Sequence, residues 1–389
     1  MLAPFGLRPK GTTISRVLPI ARVLAAQGLE VRVVVPPWDD PASAGQRIRE
    51  GNLEIVQAPL AGSLMRPLAL SRELGQLVRE FEPDVVHVFK PIGYTGLLGW
   101  WWALTWRDAA APLLVLDCDD LEGSAGWGGR QGLRSLGLFR GLQETLTVRS
   151  IGRVTAASRW LESYVRRLGL QHERTLYLAN GWERSSEKIP PMAGPRPLKL
   201  LWYTRFTEAE PGRVAALLAS VLRTAADLRL LVLGDEVEAG ARERARSAFA
   251  QVGVGERVDW LEYAPGRLRE LAETRDLVAI YPLDDNLVNR ARSPAKITEL
   301  MSVGVPVVAE AVGEANTYLA DLASTCLATP DDVVGFQRLL GALLGDRELR
   351  RVTSLRTRAA TDRFEWSLLA GGLADWYRQQ QTSWRAGQR

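Results

Sequence analysis

The stretch Tyr281-Pro282-Leu283-Asp284-Asp285-Asn286-Leu287-Val288-Asn289-Arg290-Ala291-Arg292-Ser293-Pro294-Ala295-Lys296-Ile297-Thr298-Glu299-Leu300-Met301-Ser302-Val303-Gly304-Val305-Pro306-Val307-Val308-Ala309 leaves an apolar run, crosses a polar loop and enters a helix-like segment. A second apolar run follows Gly304. Strand, loop, helix and strand in that order make a crossover unit of a parallel sheet. Ser293 is a good N-cap and Pro294 is preset for a first turn, so the spacing predicts a helix opening there. Lys296 and Glu299 stand three apart and project from one side of it. Free amides at the helix start, with Lys296, could hold a phosphate. Glu299, an acceptor-only carboxylate, could grip the two hydroxyls of a ribose. The plainer alternative is a solvated i,i+3 ion pair worth ~0.3 kcal/mol.

The same alternation extends in both directions. Val31-Arg32-Val33-Val34-Val35, Val85-Val86-His87-Val88 and Leu113-Leu114-Val115-Leu116 are short apolar runs suited to strands buried on both faces. A helical pattern places Ile14, Val17, Leu18, Ala21, Leu24 and Ala25 at spacings of three and four. Thr12 and Thr13 are its N-cap candidates and Gly28 its stop. The proline-rich stretch 184–197 interrupts the pattern and reads as a linker. Strand-like runs then resume at Leu198–Tyr203, Leu228–Leu233, Val258–Trp260, Leu277–Tyr281 and Val305–Ala309, with a helix near Gly212–Ala225. A chain of 389 residues exceeds what one core usually holds, so two domains are expected, residues 1–183 and 198–363. The fold class is α/β: two Rossmann-like, doubly wound domains whose strand ends face a central cleft.

Composition narrows the chemistry. Only His87 and His172 are present, which excludes a histidine-rich metal site. Cys118 and Cys326 lie far apart, fitting a reduced, cytoplasmic setting better than a disulfide framework. The net charge of +4 comes mostly from arginine, without the basic and aromatic ladder of a nucleic-acid binder. Its plain reading is a compositional bias; the functional one is weak attraction to anionic partners, including the inner face of a membrane. The first residues show no signal-peptide pattern. The apolar run Gly93–Trp106 spans about 14 residues, too few to cross a bilayer. Its Trp100-Trp101-Trp102 could lie at a membrane interface, but a helix buried on most faces is the expectation.

The first run of the second domain ends Trp202-Tyr203-Thr204-Arg205-Phe206, and Gly234-Asp235 follows a later run. Val312-Gly313-Glu314-Ala315-Asn316 follows the run after Gly304. With the 281–309 segment, these elements resemble glycosyltransferase family 4, the group 1 glycosyltransferases of the GT-B fold, over nearly the whole chain. The resemblance implies a nucleotide-sugar donor, UDP- or GDP-linked, as co-substrate, with no cofactor and no metal. Arg205 would hold the diphosphate and Glu299 the ribose. Gly234, Asn289, Ser293, Lys296, Gly313, Glu314 and Asn316 would complete the donor site. The family's diphosphate lysine is replaced by Glu210-Pro211-Gly212, so Lys296 or Arg213 would stand in. The first glutamate of the family's motif, near Ala291 or Arg292, is missing.

In the first domain, Pro9-Lys10-Gly11-Thr12-Thr13 precedes the first helix, and Gly11 and Thr12 could approach an anionic group there. The first strand, starting at Met1, looks abbreviated. His87 resembles the first histidine of the family's His-x-His strand; its plainer role is a buried, satisfied histidine. His87 and Lys90 are grouped with the acceptor side. Asp117-Cys118-Asp119-Asp120-Leu121-Glu122 puts four carboxylates at a strand end, costly unless solvated, paired or used. Asp119 and Asp120 are expected to orient an acceptor hydroxyl, the alternative being polar capping of the next turn. Residues 364–389 resemble the family's last helix, which crosses back onto the first domain.

The expected activity is retaining, metal-independent transfer to a glycan, lipid-linked or small-molecule acceptor, with Arg205, Lys296 and Asp119 carrying the chemistry. The rival readings are a catalytically silent GT-B subunit that binds a glycan or partner, and an epimerase or phosphorylase of the same fold.

Overall fold

A computed structural model describes residues 1–7, 11–60, 66–106, 111–123, 126–127, 134–184, 197–225 and 227–386. Most of the expected linker (185–196), with Pro9 and Lys10, lies outside the described residues. The chain divides into two compact units. One comprises Met1–Glu183, Ala291–Ser293 and Phe364–Arg389, the other Arg184–Arg290 and Pro294–Arg363.

The first unit is built on β1 (Val31–Val35), β2 (Arg47–Glu50), β3 (Leu53–Gln57), β4 (Val85–Phe89), β5 (Leu113–Cys118), β6 (Val154–Ala156) and β7 (Thr175–Tyr177). Pairing runs β2-β3-β1 and β4-β5-β6-β7, parallel except for β2 against β3. Leu2 joins the two groups with parallel bridges to Val34 and Val88. Its amide donates to the His87 carbonyl at 2.8 Å, and its carbonyl accepts from the Phe89 amide at 3.0 Å. This stub is the abbreviated first strand. The topological switch, where a doubly wound sheet takes its ligands, lies between it and β4.

Helices cover both faces of this sheet. They are α1 (Leu18–Ala26), α2 (Arg66–Arg79), α3 (Gly93–Thr105), α4 (Arg134–Ile151) and α5 (Arg159–Arg167). One core cluster contains Ile20, Leu24, Val33, Ile55 and Val115 with Trp366, Leu373 and Tyr377 of the C-terminal segment. The other contains Leu74, Val86, Val88, Trp102, Leu116 and Val148. The first helix departs from expectation. It opens as a π turn at Thr13–Val17, and the Thr12 hydroxyl makes no cap bond. That hydroxyl donates to Asp119 Oδ2 at 2.7 Å instead.

The second unit holds β8 (Leu198–Tyr203), β9 (Leu230–Leu233), β10 (Val258–Leu261), β11 (Asp276–Tyr281), β12 (Val307–Glu310) and β13 (Leu327–Ala328). All pair in parallel in the order β10-β9-β8-β11-β12-β13. Counted within the unit this is 3-2-1-4-5-6, the dinucleotide-fold order, whose switch point falls between β8 and β11. The segments that leave those two strands are the ones singled out by their chemistry. Its helices include α6 (Pro211–Thr224), α7 (Ala241–Gln251), α8 (Arg267–Thr274), α9 (Leu287–Ala291), α10 (Ala295–Ser302), α11 (Ala315–Tyr318), α12 (Val333–Gly345) and α13 (Arg347–Thr361). Its core, from Leu200 and Trp202 through Phe249, Ile280 and Val308 to Phe336 and Leu343, draws only on residues of this unit.

Candidate active site

Beyond β8 the chain turns sharply, with Phe206 at φ 60°. Buried Glu208 holds the turn. Its carboxylate accepts from the Thr204 hydroxyl at 2.9 Å, the Arg205 amide at 3.1 Å and the Thr207 amide at 3.1 Å. The ammonium of Lys296, on the first turn of α10, donates to the other carboxylate oxygen at 3.0 Å. The Tyr203 hydroxyl donates to Glu299 Oε2 at 2.8 Å, and Lys296 Nζ lies 5.4 Å from the centroid of the Tyr203 ring. Burial, then the Glu299 charge, pushes the Tyr203 phenol far above its usual pKa, so it stays a donor. Lys296 and Glu299 thus converge on the end of β8, with Arg205 two residues beyond Tyr203. The Arg205 side chain is exposed, and among the described residues its guanidinium has no ion-pair partner.

Neighbouring positions are fixed by backbone geometry. Gly234 has φ 138°, and a Cβ there would sit 1.8 Å from the Thr204 carbonyl oxygen. Gly313 has φ 53°, and its Cβ would come within 2.7 Å of the Asn289 and Arg290 carbonyls. Only glycine fits either place. Buried Asn289 donates through Nδ2 to the Glu208 and Asp284 carbonyls at 2.6 and 2.8 Å, while its buried Oδ1 has no hydrogen-bond partner among the described residues. Glu314 is buried at the start of α11, and exposed Asn316 donates to the Gly313 carbonyl at 3.2 Å.

Three expectations need correction here. Pro294, not Ser293, occupies the N-cap of α10, without a side-chain cap bond. The Ser293 hydroxyl accepts from the Asn180 amide at 2.9 Å, and its carbonyl accepts from Asn180 Nδ2 at 2.7 Å. It therefore belongs with the first unit, as do Ala291 and Arg292. Arg213 is no stand-in for the missing lysine. It donates to both oxygens of buried Glu310 at 2.7 and 2.8 Å and to Asp284 at 2.8 Å, which leaves Lys296. Glu210, at the lysine's place, caps α6 by accepting from the Arg213 amide.

At the switch point of the first unit, Lys90 (φ 71°) ends β4 and reaches a group of carboxylates. Its ammonium lies 2.9 Å from Asp119 Oδ1 and 3.4 Å from Asp120 Oδ2, and it also pairs with Glu122. Ligand oxygens of Asp119, Asp120 and Glu122 lie within 4.8 Å of one another, a spacing a cation suits, and the Lys90 ammonium supplies one. Burial works against that ammonium, but Asp119, Glu122 and Asp120 outweigh it and hold its pKa well above the lysine value. Burial raises Asp119 as well, yet Lys90 and the Thr12 hydroxyl bring it below the usual range. Asp120 and Glu122, dominated by burial, are raised. The same site so contains one firmly ionised carboxylate and two that hold protons more tightly. Arg292, which with Ala291 lies near the place of the first glutamate of the family motif, stands 5.2 Å from the Trp127 ring and lowers Asp120 by its charge. Gly11 accepts the first turns of the adjoining helix from Ile14 and Ser15.

His87 is not an acceptor-side residue. It is 1% exposed, with Nδ1 2.6 Å from the Tyr377 hydroxyl and Nε2 3.1 Å from the Thr155 hydroxyl. Burial depresses its pKa well below the ordinary value, so the ring is neutral. Below it, Arg16 and Asp117 form a buried two-pronged pair, both contacts 2.7 Å. A cavity of about 460 Å³ opens near Glu30, Arg32, Pro83 and Asp84. These lie at the starting ends of β1 and β4, opposite the ends where parallel sheets bind ligands, so the cavity is set aside as a catalytic site.

Two doubly wound α/β units, with charged side chains gathered at their switch points, are the architecture of the GT-B fold. The chain superposes on sucrose-phosphate synthase from Thermosynechococcus elongatus with a TM-score of 0.73 at 17% identity, covering 96% of this chain and 94% of the other. Anabaena HepE in complex with UDP and glucose gives 0.68 at 16% identity, covering 96% and 97%.

Residues 11–181 match the model of the glycosyl transferase 4-like domain and residues 198–346 that of the glycosyl transferases group 1. The chain belongs to the group 1 glycosyl transferases. It is 25% identical over 395 residues to the phosphatidyl-myo-inositol mannosyltransferase of Mycobacterium leprae, covering 98% of this chain and 97% of that one. It is 31% identical over 153 residues to the D-inositol 3-phosphate glycosyltransferase of Nocardia farcinica, covering 39% of this chain and 33% of the relative's length.

Proposed function

We propose that the chain transfers a glycosyl group from a UDP- or GDP-sugar to an acceptor hydroxyl, with retention and without a metal. The observation that carries this reading is the convergence of Lys296 and Glu299 on Tyr203 and Glu208 at the switch point of the second unit, with the exposed Arg205 on the same turn. The acceptor oxygen attacks the anomeric carbon as the bond from that carbon to the diphosphate breaks, and the diphosphate takes the electron pair. Arg205 and Lys296 offset its growing negative charge, the work a metal does elsewhere. The acceptor proton passes to the departing phosphate oxygen, so no separate strong base is needed. Glu299, oriented by Tyr203, receives the ribose hydroxyls.

Asp119, ionised and held by Lys90 and Thr12, is the residue proposed to orient the acceptor hydroxyl. The similarity to proteins named for UDP-glucose complexes and for inositol-containing acceptors supports a nucleotide-sugar donor and a polyol acceptor.

The silent-subunit reading is favoured by Glu210 standing where the family has its diphosphate lysine. Incubation of the purified protein with UDP-, GDP- and ADP-sugars separates the two. Nucleotide binding with slow donor hydrolysis is expected of the transferase. Absence of affinity for every nucleotide would make the chain a silent subunit.

A further inference from the structure

Arginines gather round a cavity of about 210 Å³ within the second unit. It lies at the starting ends of β11 and β12, while Lys296 and Glu299 belong to the ends where those strands release the chain. Its charged lining is Arg275, Asp276, Arg350, Arg351 and Arg358. Arg351, Ser354 and Arg358 stand three and four apart on α13 and so share one of its faces. That face packs against the foot of α10. Gly304, at φ 73°, permits the close approach: a Cβ there would lie 3.2 Å from Ser354 Oγ and 3.3 Å from Arg358 Nε. The Ser354 hydroxyl donates to the Gly304 carbonyl at 2.6 Å and fixes the wall. Arg275, between α8 and β11, comes to the cavity from a different element.

The charges in this lining do not cancel. Asp276 is its one carboxylate, and buried Arg350 takes it with a 3.0 Å bond from Nε. Arg350 Nη1 also donates to the Leu343 and Leu344 carbonyls at 2.8 and 2.9 Å, so this residue clips the end of α12 to β11. Arg351 pairs with Glu348 three residues earlier, but both side chains are more than half exposed, and water leaves such a pair little strength. Arg275 donates to the Thr274 hydroxyl at 2.7 Å and has no ion-pair partner among the described residues. Arg358 lies over Gly304, where a cation suits the carbonyl end of α10. That role accounts for one cation of the three. Guanidinium groups brought round one recess repel each other unless an anion sits among them. Their paired N–H donors match the oxygens of a phosphate. The cavity is smaller than the ~300–1,000 Å³ of pockets that take drug-sized ligands, so its occupant is small.

We infer that this cavity binds a small, soluble, phosphate-bearing anion at a site separate from the donor site. α10 runs between the two places, with Lys296 and Glu299 near its head and Val303 and Gly304 past its foot, roughly 10 Å further along the axis. The inference does not rest on the transfer reading.

The test is isothermal titration of the full chain with inorganic phosphate, in a buffer whose ionic strength is held constant with sodium chloride. Saturable binding is expected, and it should persist in Arg205→Ala, which removes a cation from the donor site. Arg275→Gln combined with Arg351→Gln should weaken phosphate tenfold or more. Arg275→Lys with Arg351→Lys, which keeps the charge, should recover part of that loss. Arg350 is left in place, so far-UV circular dichroism and Tm should stay those of the parent. UDP or GDP titrations of the glutamine variant should match the parent, which tells loss of this cavity from failure of the donor site. Phosphate affinity unchanged in the glutamine variant overturns the proposal, as does loss of phosphate binding in Arg205→Ala alone, which would place the anion at the donor site. A parent chain that responds to phosphate no more than to chloride overturns it too.

Discussion

At the end of β8 the Arg205 guanidinium stands exposed, while the carboxylate beneath it already serves four donors. Arg205→Ala removes a cation without breaking a folded-state bond. A hydrogen bond to a charged group is worth about 1.5–3 kcal/mol, so affinity for UDP or GDP should fall by tenfold or more with Tm unchanged. Isothermal titration checks this, and undiminished affinity would remove Arg205 from the site. Glu208→Gln should behave oppositely. It points an amide donor at groups that donate and takes away the buried carboxylate charge that faces Lys296, so stability should drop by about 3 kcal/mol in urea titrations. Arg205, Lys296 and Glu299 were legible because each stands at a motif position. Glu208 and Tyr203 were not, since a carboxylate in a loop and a tyrosine ending a strand have many plain roles. His87 misled for the same reason: a lone strand histidine reads alike whether it faces a ligand or, as here, Tyr377 and Thr155.

Elements were legible wherever apolar periodicity was strong. The runs at Val31–Val35 and Leu230–Leu233 are strands, because β-branched and leucine side chains are buried on both sides of each sheet. Helix starts were less so. Ser293 has the cap chemistry, but Asn180 claims its hydroxyl, and the start of α10 moves by one residue. α3 was expected to be buried on most faces; Trp102 is buried, but Trp101 is 57% exposed. At the turn after β9, Gly234→Ala places a methyl group 1.8 Å from a carbonyl at φ 138°. Relief requires the β8 and β9 ends to separate, so a loss of more than ~3 kcal/mol is expected, measurable by urea unfolding. A loss below ~1 kcal/mol would mean that the turn adapts without strain.

On α4, Glu144 accepts from the Gly123 amide, and burial followed by the Glu122 charge raises its pKa to about 8. A carboxyl raised from 4.5 to about 8 favours the folded state fully at low pH, and that contribution is lost as pH rises through this interval. Urea midpoints should therefore fall between about pH 5 and pH 8. Glu144→Gln, neutral throughout, should flatten the fall; an equally steep fall in the variant would place its origin elsewhere.

At the scale of the molecule, each unit closes its own core, but the first does so with sequence from both ends of the chain. Trp366, Leu373, Ala374, Trp376 and Tyr377 sit in the same cluster as Ile20, Val33 and Val115. Tyr377 also supplies the hydroxyl bonded to His87. A chain ending at Arg363 would thus leave a neutral, buried imidazole facing a void and strip five large or packed side chains from one face of the first sheet. Each large deletion of this kind costs about 2–5 kcal/mol, and their sum exceeds the ~5–15 kcal/mol that stabilises a typical domain. The second unit loses none of its core residues by that cut. Truncation after Arg363 should therefore unfold the first unit, with early proteolysis inside residues 11–181, and leave a protease-resistant fragment starting near Leu198. That fragment should still bind UDP or GDP and gain about 2.7 kcal/mol of stability at a hundred times its Kd. Limited proteolysis with mass spectrometry and ligand-dependent melting read both halves of the expectation. If the truncated chain keeps the first unit intact, the C-terminal helix is an accessory to its core; if the surviving fragment ignores nucleotide, the donor site requires more than the second unit holds.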